Sequence, residues 1–428
     1  MITFKRFLRR IKQGGDNAIQ KVKRFINKET LSRKCHAYAK ETKTHPVIGL
    51  VVTTFDKGGL EQVVLNLYHG YKNKGYQVFL LCEKNILGIM ADSIAQNELL
   101  LFNSSEIAFV NLLIKHRITV LHYHYNLFFL EEAKRMGIKI LYTMHNVYTW
   151  KDDQEINEYS TLLNQIDYVV PVSDFVSDYF KQRAGYSQDN IEVIYNGIRF
   201  DELDSAEFND TISRDSLGIK PNEIALAFIA TFTPTKAQIG MIGVMESILK
   251  KRKDIKLLLV GNVGDPRYYK EFQEMLSSSP GRDSIIVVEY FNHKYMGEFL
   301  RNTADVFMLP TLQEGCSNAV LEAVYCDKPM IISDVGNAKQ VSYLESCIVV
   351  PAAFLELTSL DVAEINRISV EKDMINQKEL VCAIETLASS LDVYKSKAKL
   401  EPHEKESYSH KYMIDKYVEL IEELFIAS

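Results

Sequence analysis

Short apolar runs alternate along this chain with longer segments in which apolar residues recur at helical spacing. Val47-Ile-Gly-Leu-Val-Val is one such run, and it lacks the alternation of polar and apolar residues that marks a strand with one wet face. The run therefore predicts a strand that is buried on both faces, as in a parallel sheet. After Gly58 and Gly59, apolar side chains recur at positions 60, 63, 64, 67 and 71, which predicts a helix.

This rhythm of strand and helix continues over most of the chain and predicts two sets of βαβ units. The predicted strands of the first set cover residues 47–53, 75–81, 118–125, 138–144 and 168–171. Those of the second set cover residues 224–230, 255–261, 284–288, 304–309 and 329–333. Strands that alternate with helices in this way are typical of parallel sheets covered by helices. The predicted fold class is therefore α/β, with two doubly wound, Rossmann-like domains.

A polar, acidic stretch at residues 201–222 separates the two sets and is the most linker-like segment of the body. It predicts a first domain at residues 41–200 and a second domain at residues 201–405. A final helix is predicted near residues 408–426, within a C-terminal segment of residues 406–428. This helix carries four apolar or aromatic residues, namely Tyr412, Tyr417, Leu420 and Ile421.

Length and composition agree with a globular protein of two domains. The chain has 428 residues, of which 46% are hydrophobic and 25% are charged, so each domain has enough residues for its own core. No uninterrupted apolar run approaches the roughly 20 residues that span a bilayer, and the N-terminus lacks the apolar stretch of a secretory signal. The six cysteines are scattered without a Cys-x-x-Cys pair, so we expect reduced thiols in a cytoplasmic protein.

Positive charge is concentrated at the N-terminus. Residues 1–40 hold twelve Lys or Arg and two acidic residues, a net of +10, whereas the remaining 388 residues carry −16. Phe4, Phe7, Leu8 and Ile11 recur at helical spacing among basic residues, a pattern typical of a helix on an anionic membrane surface. A helix packed on the body of the protein and an oligomer contact are open alternatives. Nucleic acid is not expected as a partner, because the body is acidic and has no recognisable binding motif.

The strongest chemical signal is a pair of glutamates eight positions apart, Glu314 and Glu322. The apolar run that starts at residue 306 predicts a buried strand, and a proline and a glycine then break the pattern. Ser317 is a candidate N-cap for a helix that begins at Asn318. The N–H groups at such a helix start bind phosphate well. With Glu314 in the loop and Glu322 in the second helical turn, both carboxylates are placed to face one ligand.

This arrangement resembles the Glu-x7-Glu signature of retaining glycosyltransferases of the GT4 family, which have the GT-B fold. The resemblance implies two Rossmann-like domains that face a central cleft, with a C-terminal helix that crosses back to the first domain. It also implies that Glu314 binds hydroxyls of the donor sugar and supports the developing positive charge, and that Glu322 accepts hydrogen bonds from the ribose of the nucleotide. Backbone N–H groups would hold sugar and phosphate at four positions: Gly315, Cys316, Ser317 and Asn318. The alternative is two solvated glutamates beside a helix start.

A second segment resembles the same family less completely. Residues 230–237 stand where the family usually has Gly-Arg-Leu-x-x-x-Lys-Gly, and Lys236 matches the lysine that neutralises the donor diphosphate. Thr231 stands in place of the arginine. The loss of one fixed cation should weaken the stabilisation of the leaving group by roughly a few kcal/mol, unless another basic residue replaces it.

Further positions match the family in the expected order. Gly58 and Gly59 resemble the glycine loop before its first helix, where glycine lets a diphosphate or sugar approach the backbone; a plain turn is the alternative. His145 follows a predicted strand where the family has a histidine that contacts the donor sugar or orients the acceptor; the alternative is a histidine that caps a strand. Gly261 resembles the strand-end glycine that permits the approach of a nucleotide.

No metal ion or separate cofactor is expected. His122 and His124 share one face of a predicted strand, but no third ligand accompanies them, so a structural pair is favoured over a metal site. The chain has no Asp-x-Asp, the motif with which transferases of the other common fold hold a divalent cation at the diphosphate. We expect Lys236 and helix N-termini to take the place of that cation.

These features predict a metal-independent, retaining glycosyltransferase that moves a sugar from a nucleotide diphosphate, with a UDP-sugar as the expected donor, to an acceptor hydroxyl. The acceptor would be lipid-linked, a glycan or a protein, and the basic residues 1–40 favour a peripheral place at the inner face of the cell membrane, as in the assembly of cell-surface polysaccharides or glycoconjugates. Two alternatives are open. One is a non-catalytic GT-B binding or chaperone subunit of a transferase complex, which Thr231 keeps open and the presence of Glu314 and Glu322 argues against. The other is a GT-B sugar-nucleotide epimerase, which would need no acceptor.

Overall fold

The computed structural model describes residues 16–40, 45–56, 58–186, 189–204, 210–289 and 292–426, with side chains from residue 28 onward. The chain divides into two compact units. Unit 1 comprises Met1–Tyr142, Ile166–Tyr168 and Glu419–Ser428, and unit 2 comprises Thr143–Gln165 and Val169–Val418.

Two six-stranded sheets form the framework of the described chain. The strands of the first sheet are β1 Val47–Val52, β2 Gln77–Cys82, β3 Leu99–Leu101, β4 Val120–His124, β5 Lys139–Met144 and β6 Tyr168–Pro171, in the order β3-β2-β1-β4-β5-β6. Those of the second sheet are β7 Ile224–Ile229, β8 Ile255–Val260, β9 Ile285–Val288, β10 Val306–Leu309, β11 Met330–Ser333 and β12 Cys347–Val350, in the order β12-β11-β10-β7-β8-β9. Both orders grow outwards from a central pair, as in doubly wound Rossmann-like sheets. The predicted α/β fold class is confirmed.

The central strands of the second sheet are buried along their whole length, as their continuous apolar runs predict. Every residue of β7 and of β10 is buried, and β7 pairs in parallel with both β8 and β10. All ten predicted strands are present. The two remaining strands, β3 and β12, each form an edge of a sheet and are absent from the prediction.

Helices connect the strands. Those up to the start of the second sheet are α1 Asp16–Ala39, α2 Gly59–Asn73, α3 Glu106–Lys115, α4 Leu130–Arg135, α5 Asp153–Leu163, α6 Asp174–Ala184 and α7 Phe200–Leu203. Those that follow are α8 Gln238–Ile248, α9 Pro266–Ser278, α10 Met296–Glu298, α11 Asn318–Tyr325, α12 Ala338–Val341, α13 Val362–Ser369, α14 Gln377–Ser389, α15 Leu391–Lys397, α16 Pro402–Lys405 and α17 His410–Ile426. Among the described residues, no helix combines the length and the apolar character needed to cross a bilayer.

The last part of α1 packs against the rest of unit 1. Leu31, Cys35 and Tyr38 recur at helical spacing and are buried. The Tyr38 hydroxyl donates to the carbonyl of Ile118 at 2.7 Å. This part of the N-terminal segment is therefore a helix packed on the protein body. The predicted amphipathic stretch at residues 4–11 lies outside the described residues, so its membrane role stays a prediction.

The C-terminal helix α17 agrees with the helix predicted near residues 408–426. It passes from unit 2 to unit 1 after Val418. Within unit 1, Glu422 accepts a hydrogen bond from the Tyr76 hydroxyl at 2.9 Å, and Glu423 accepts one from the Tyr168 hydroxyl at 3.0 Å. These contacts hold the end of the helix against the unit that contains the first strands.

The two units differ from the predicted domains in where they place the loops after β5 and β6. Residues 143–165 and 169–200 belong to unit 2, because these loops contact the second sheet's loops. Thr149 bonds to Gln313, and Lys339 forms an ion pair with Asp174 at 2.7 Å. The predicted linker is also partly packed, since Ile212 and Ile219 are buried in the core of unit 2. The domain boundary at residue 200 stays a prediction.

Candidate functional site

The candidate site is built on the loops that follow β7 and β10 in unit 2. These strands are neighbours in the sheet, so their carboxyl ends meet at one edge, where ligands of open α/β sheets bind. The loops are joined by a backbone hydrogen bond of 2.9 Å from the N–H of Leu312 to the carbonyl of Thr235. Lys236 from one loop and Glu314 from the other form an ion pair of 2.5 Å between Nζ and Oε1. The structure therefore brings together the predicted diphosphate ligand and the predicted sugar ligand.

The loop that carries Lys236 departs from the usual glycine at its end. Ala237 occupies that position, is fully buried and has a φ of +52°. Thr231, which stands in place of the expected arginine, is exposed. Its carbonyl accepts a hydrogen bond of 3.0 Å from Nε2 of the buried Gln238. Thr231 is thus accessible to solvent, while its methyl group lies close to Gly264 and its carbonyl is hydrogen-bonded.

Glu322 lies where the sequence predicts it, in the second turn of α11. Its side chain is only 7% exposed, and its Oε1 is 2.8 Å from Nε2 of His293. The hydrogen bond to Glu322 raises the pKa of His293 above its ordinary value. His293 stands in the loop after β9 and escaped the sequence analysis, because no motif marks it. The structure thus gives the candidate ribose ligand a histidine partner.

The chain between the two glutamates adopts the predicted turn and helix start. Helix α11 begins at Asn318 with Ser317 as N-cap, but the Ser317 hydroxyl makes no capping hydrogen bond. The N–H of Ser317 donates instead to Oδ1 of the buried Asn337 at 3.1 Å. The carbonyl of Cys316 accepts from Nδ2 of Asn196 at 3.3 Å. Burial raises the pKa of the Cys316 thiol to about 12, so this cysteine is no nucleophile at neutral pH.

Gly315 is required by a close approach to the loop that carries His145. A Cβ at this position would stand 1.9 Å from the carbonyl oxygen of His145, so any side chain would force the two loops apart. His145 directly follows β5, as predicted, and is half-buried. Burial lowers the pKa of its imidazole to about 3. The ring is therefore neutral at physiological pH, and the backbone of His145 lies beside the loop of Glu314 in unit 2.

Gln313 is a second site residue that the sequence analysis missed. It precedes Glu314, is 5% exposed and bonds to the loop after His145. Its Oε1 accepts from the Thr149 hydroxyl at 3.1 Å, and its Nε2 donates to Asn146 and to the carbonyl of Val147. Its partners lie more than 160 residues away in the sequence, and no local pattern could have revealed them.

The remaining predicted glycines lie at strand and helix ends. Gly58 is the N-cap of α2, and Gly59 is the first residue of that helix, both in unit 1. Gly261 follows β8, and a Cβ there would stand 2.1 Å from the carbonyl oxygen of Ala230. Close packing of two loops thus explains Gly261 without a ligand. The ligand-binding roles of all three glycines stay predictions.

The two histidines on β4 pack against each other. The ring centroids of His122 and His124 are 4.2 Å apart, and Nδ1 of His122 is 3.1 Å from the Tyr71 hydroxyl. No group of three or more residues among His, Cys, Asp and Glu is placed to hold a metal ion in the part of the chain that the structure describes.

Comparison with known proteins matches two consecutive segments of the chain to families of one enzyme class. Residues 57–202 match the family described as Glycosyltransferase Family 4, and residues 209–346 match the family described as Glycosyl transferases group 1. An uncharacterized glycosyltransferase of Methanocaldococcus jannaschii is 29% identical over 156 residues, which cover 36% of this chain and 39% of that protein. The match thus spans well under half of that relative's length.

Solved structures resemble nearly the whole chain. Sucrose-phosphate synthase from Thermosynechococcus elongatus has a TM-score of 0.70 at 16% identity, over 90% of this chain and 100% of that one. The Anabaena protein HepE, in a crystal structure with UDP, has a TM-score of 0.69 at 14% identity, over 89% of this chain and 100% of that one. At such low identity, these likenesses show the fold alone.

Proposed function

The chain belongs to the GT4-type glycosyltransferases and has a Rossmann-like GT-B fold, and from this premise we propose that it moves a sugar from a nucleotide-diphosphate donor to an acceptor hydroxyl with retention of the anomeric configuration. The observation that carries the proposal is the ion pair of Lys236 and Glu314, on adjacent strand ends. Lys236 supplies a cation for the departing nucleotide diphosphate, and Glu314 supplies a carboxylate for the sugar.

The proposed reaction breaks the bond between C1 of the sugar and the phosphate oxygen, and forms a bond from C1 to the acceptor oxygen. The proton of the acceptor hydroxyl passes to the departing phosphate. Lys236 offsets the negative charge that grows on the diphosphate, while Glu314 binds sugar hydroxyls and stabilises positive charge at C1. His145 acts as a neutral hydrogen-bonding group, because its lowered pKa keeps the imidazole uncharged at neutral pH.

We further propose UDP-sugars as donors, without a metal ion. Support for the base comes from the structure of HepE with UDP, a protein of the same fold. Glu322 is the proposed ligand of the ribose hydroxyls, and its carboxylate is already held in place by His293. The backbone N–H groups of Gly315, Cys316 and Asn318 are the proposed donors to sugar and phosphate. The N–H of Ser317, predicted as a fourth donor, already bonds to Asn337.

The proposed acceptor is lipid-linked, or a glycan or protein at the inner face of a cell membrane. The net charge of +10 in residues 1–40 supports this proposal, since basic segments bind anionic lipid surfaces. This placement fits a role in cell-surface polysaccharide or glycoconjugate assembly.

A donor screen tests the proposed function. Thermal unfolding of the wild type and of Glu322→Ala is followed with UDP, GDP, ADP and CDP and their sugars, and nucleotide release is measured in parallel. We expect one nucleotide class, UDP, to stabilise the wild type by mass action and to lose this effect in Glu322→Ala. Absence of a shift and of turnover with every donor would instead favour a non-catalytic subunit.

A further inference from the structure

Both the amide nitrogen and the carbonyl oxygen of the Gln313 side chain form hydrogen bonds to one neighbouring loop. Nε2 donates to Oδ1 of Asn146 at 3.2 Å and to the carbonyl of Val147 at 3.0 Å, while Oε1 accepts from the Thr149 hydroxyl at 3.1 Å. Gln313 is 5% exposed and Thr149 is also 5% exposed. Buried polar networks whose members are all bonded hold one arrangement, because every alternative leaves a buried group without a partner.

A second contact fixes the same two loops on the other side of Glu314. The backbone of Gly315 lies so close to the carbonyl of His145 that a Cβ would approach its oxygen to 1.9 Å. Residues 313 and 315 therefore both rest on the loop of residues 145–149. Glu314 lies between these two anchors, and its carboxylate is drawn towards Lys236.

We infer that Gln313 is a positioning residue that sets His145 and Glu314 at a fixed distance for sugar transfer. The inference rests on the proposed function, in which both residues act on the donor sugar or its acceptor. Gln313 itself need not touch a substrate, since all three of its hydrogen bonds go to residues of this chain. Its effect passes through the loop of residues 145–149.

The inference predicts a loss in rate without a matching loss in nucleotide affinity. A shift of about 1 Å in a catalytic group costs on the order of 100-fold in rate. The proposed nucleotide ligands Lys236 and Glu322 share no hydrogen bond with Gln313. Gln313→Leu should therefore lower kcat by about 10-fold to 100-fold, whereas the Kd of UDP should change by less than about twofold.

Asn376→Leu serves as the matched control. Asn376 is also a buried amide of unit 2, 3% exposed, and donates to the carbonyl of Pro351 at 2.7 Å. We expect Asn376→Leu to lower Tm as Gln313→Leu does, because each change leaves a buried acceptor without its donor, but to keep the wild-type kcat. Equal loss of kcat in both variants would show that only stability matters at Gln313 and would overturn the inference.

A double-variant cycle with Thr149→Val supplies a second test, and the single variant Thr149→Val stays informative if Gln313→Leu folds poorly. Thr149→Val removes only the hydroxyl that donates to Gln313 and should lower kcat in the same direction. In the double variant, the loss of kcat should be smaller than the product of the two single losses, because Thr149→Val and Gln313→Leu remove the same contact. Fully multiplicative effects would contradict a shared positioning role.

A readout without turnover separates this inference from the proposed function. The imidazole resonances of His145, assigned with His145→Gln, should shift in Gln313→Leu and Thr149→Val and stay in place in Asn376→Leu. An unmoved His145 resonance in Gln313→Leu would overturn the inference even if the enzyme is active. If the His145 resonances shift but the protein turns over no donor, the positioning contact is supported and the proposed reaction is wrong.

Discussion

The candidate site holds two opposite charges that are largely removed from water. The side chains of Lys236 and Glu314 are 19% and 12% exposed and lie 2.5 Å apart. A pair of this kind loses much when one partner is removed, because the other charge is left buried and unpaired. In the proposed reaction, the donor diphosphate offers Lys236 a second anionic partner beside Glu314.

Lys236→Met should therefore lower both stability and activity. We expect the free energy of unfolding to fall by roughly 1–3 kcal/mol, because Glu314 is left unpaired, and kcat to fall by about 100-fold or more, because the diphosphate loses its cation. Denaturant unfolding and initial rates measure the two losses. The double variant Lys236→Met/Glu314→Gln should regain most of the stability and none of the activity. Stability that stays low in the double variant would speak against a coupled pair.

Thr231 offers a test of the missing cation. It is exposed in the loop after β7, five residues before Lys236, so we expect an arginine there to lie near a diphosphate bound by Lys236. Thr231→Arg should tighten UDP binding by about tenfold, the effect of roughly 1.4 kcal/mol from one added charge-assisted hydrogen bond. Calorimetric titration with UDP measures the gain, with Thr231→Gln as a control of similar length and no charge. Equal affinity in the arginine and glutamine variants would argue against a diphosphate at this loop.

His293 should make stability depend on pH. The hydrogen bond to Glu322, together with the charges of Glu322 and Glu202, raises the pKa of His293 in the folded state. A raised folded-state pKa contributes stability below the unfolded pKa of about 6.5, and this contribution is lost as pH rises through the folded-state pKa. His293→Gln should therefore lower Tm at pH 5.5 and leave it nearly unchanged at pH 9. The same loss of Tm at both pH values would mean that the protonated pair contributes nothing.

At the scale of elements, continuous apolar runs are a reliable guide to buried parallel strands. All ten predicted strands are present, since strands such as β7 are buried along their whole length. The strands β3 and β12 were not predicted; both lie at a sheet edge and are only partly buried. Ser317 shows a different limit. Its type and place predict an N-cap, but Asn337 takes its N–H and its hydroxyl does not cap.

The end of helix α3 carries a strained residue. Arg117 follows the C-cap His116, has a φ of +54° and is exposed. The N–H of Ile118 bonds back to the carbonyl of Leu113 at 3.0 Å, so the chain turns in the way that favours glycine at position 117. Arg117→Gly should raise the free energy of unfolding by about 0.5–1 kcal/mol, because a non-glycine residue in this conformation costs about 1–2 kcal/mol and glycine loses part of that gain in the unfolded chain. Denaturant unfolding measures this increase in the free energy of unfolding. The control Arg117→Ala should show no increase.

For the whole molecule, the sequence indicates the fold and the site's charged groups, but not the contacts that join distant loops. Lys236, Glu314 and Glu322 are found because each stands in a local motif. Gln313 and His293 were not predicted, because their hydrogen-bond partners are distant in the sequence. Thr149 lies 164 residues from Gln313, and Glu322 lies 29 residues from His293. A single sequence carries no signal for such pairs. The uneven distribution of charge along the chain, by contrast, follows directly from the count of basic and acidic residues.

The N-terminal segment should act as a separable membrane contact. Residues 1–15 hold five basic and no acidic residues, whereas Leu31, Cys35 and Tyr38 belong to the core of unit 1. Deletion of residues 1–15 should therefore weaken binding to anionic liposomes without a loss of Tm, because each basic residue contributes roughly 1 kcal/mol near such a surface. Co-sedimentation with anionic and with neutral vesicles measures the difference. Unchanged binding to anionic vesicles would leave this stretch without a membrane role.

In the proposed reaction, Glu314 acts on the donor sugar at the site it shares with Lys236. Release of UDP from a UDP-sugar, in the presence of an acceptor, tests it most directly when wild type, Glu314→Ala and Glu345→Ala are compared. Glu345 is an exposed glutamate in an ion pair with Lys397 and serves as the control. We predict that Glu314→Ala loses at least about 100-fold in kcat, whereas Glu345→Ala keeps the wild-type rate. A wild-type rate in Glu314→Ala would contradict the assignment of the site.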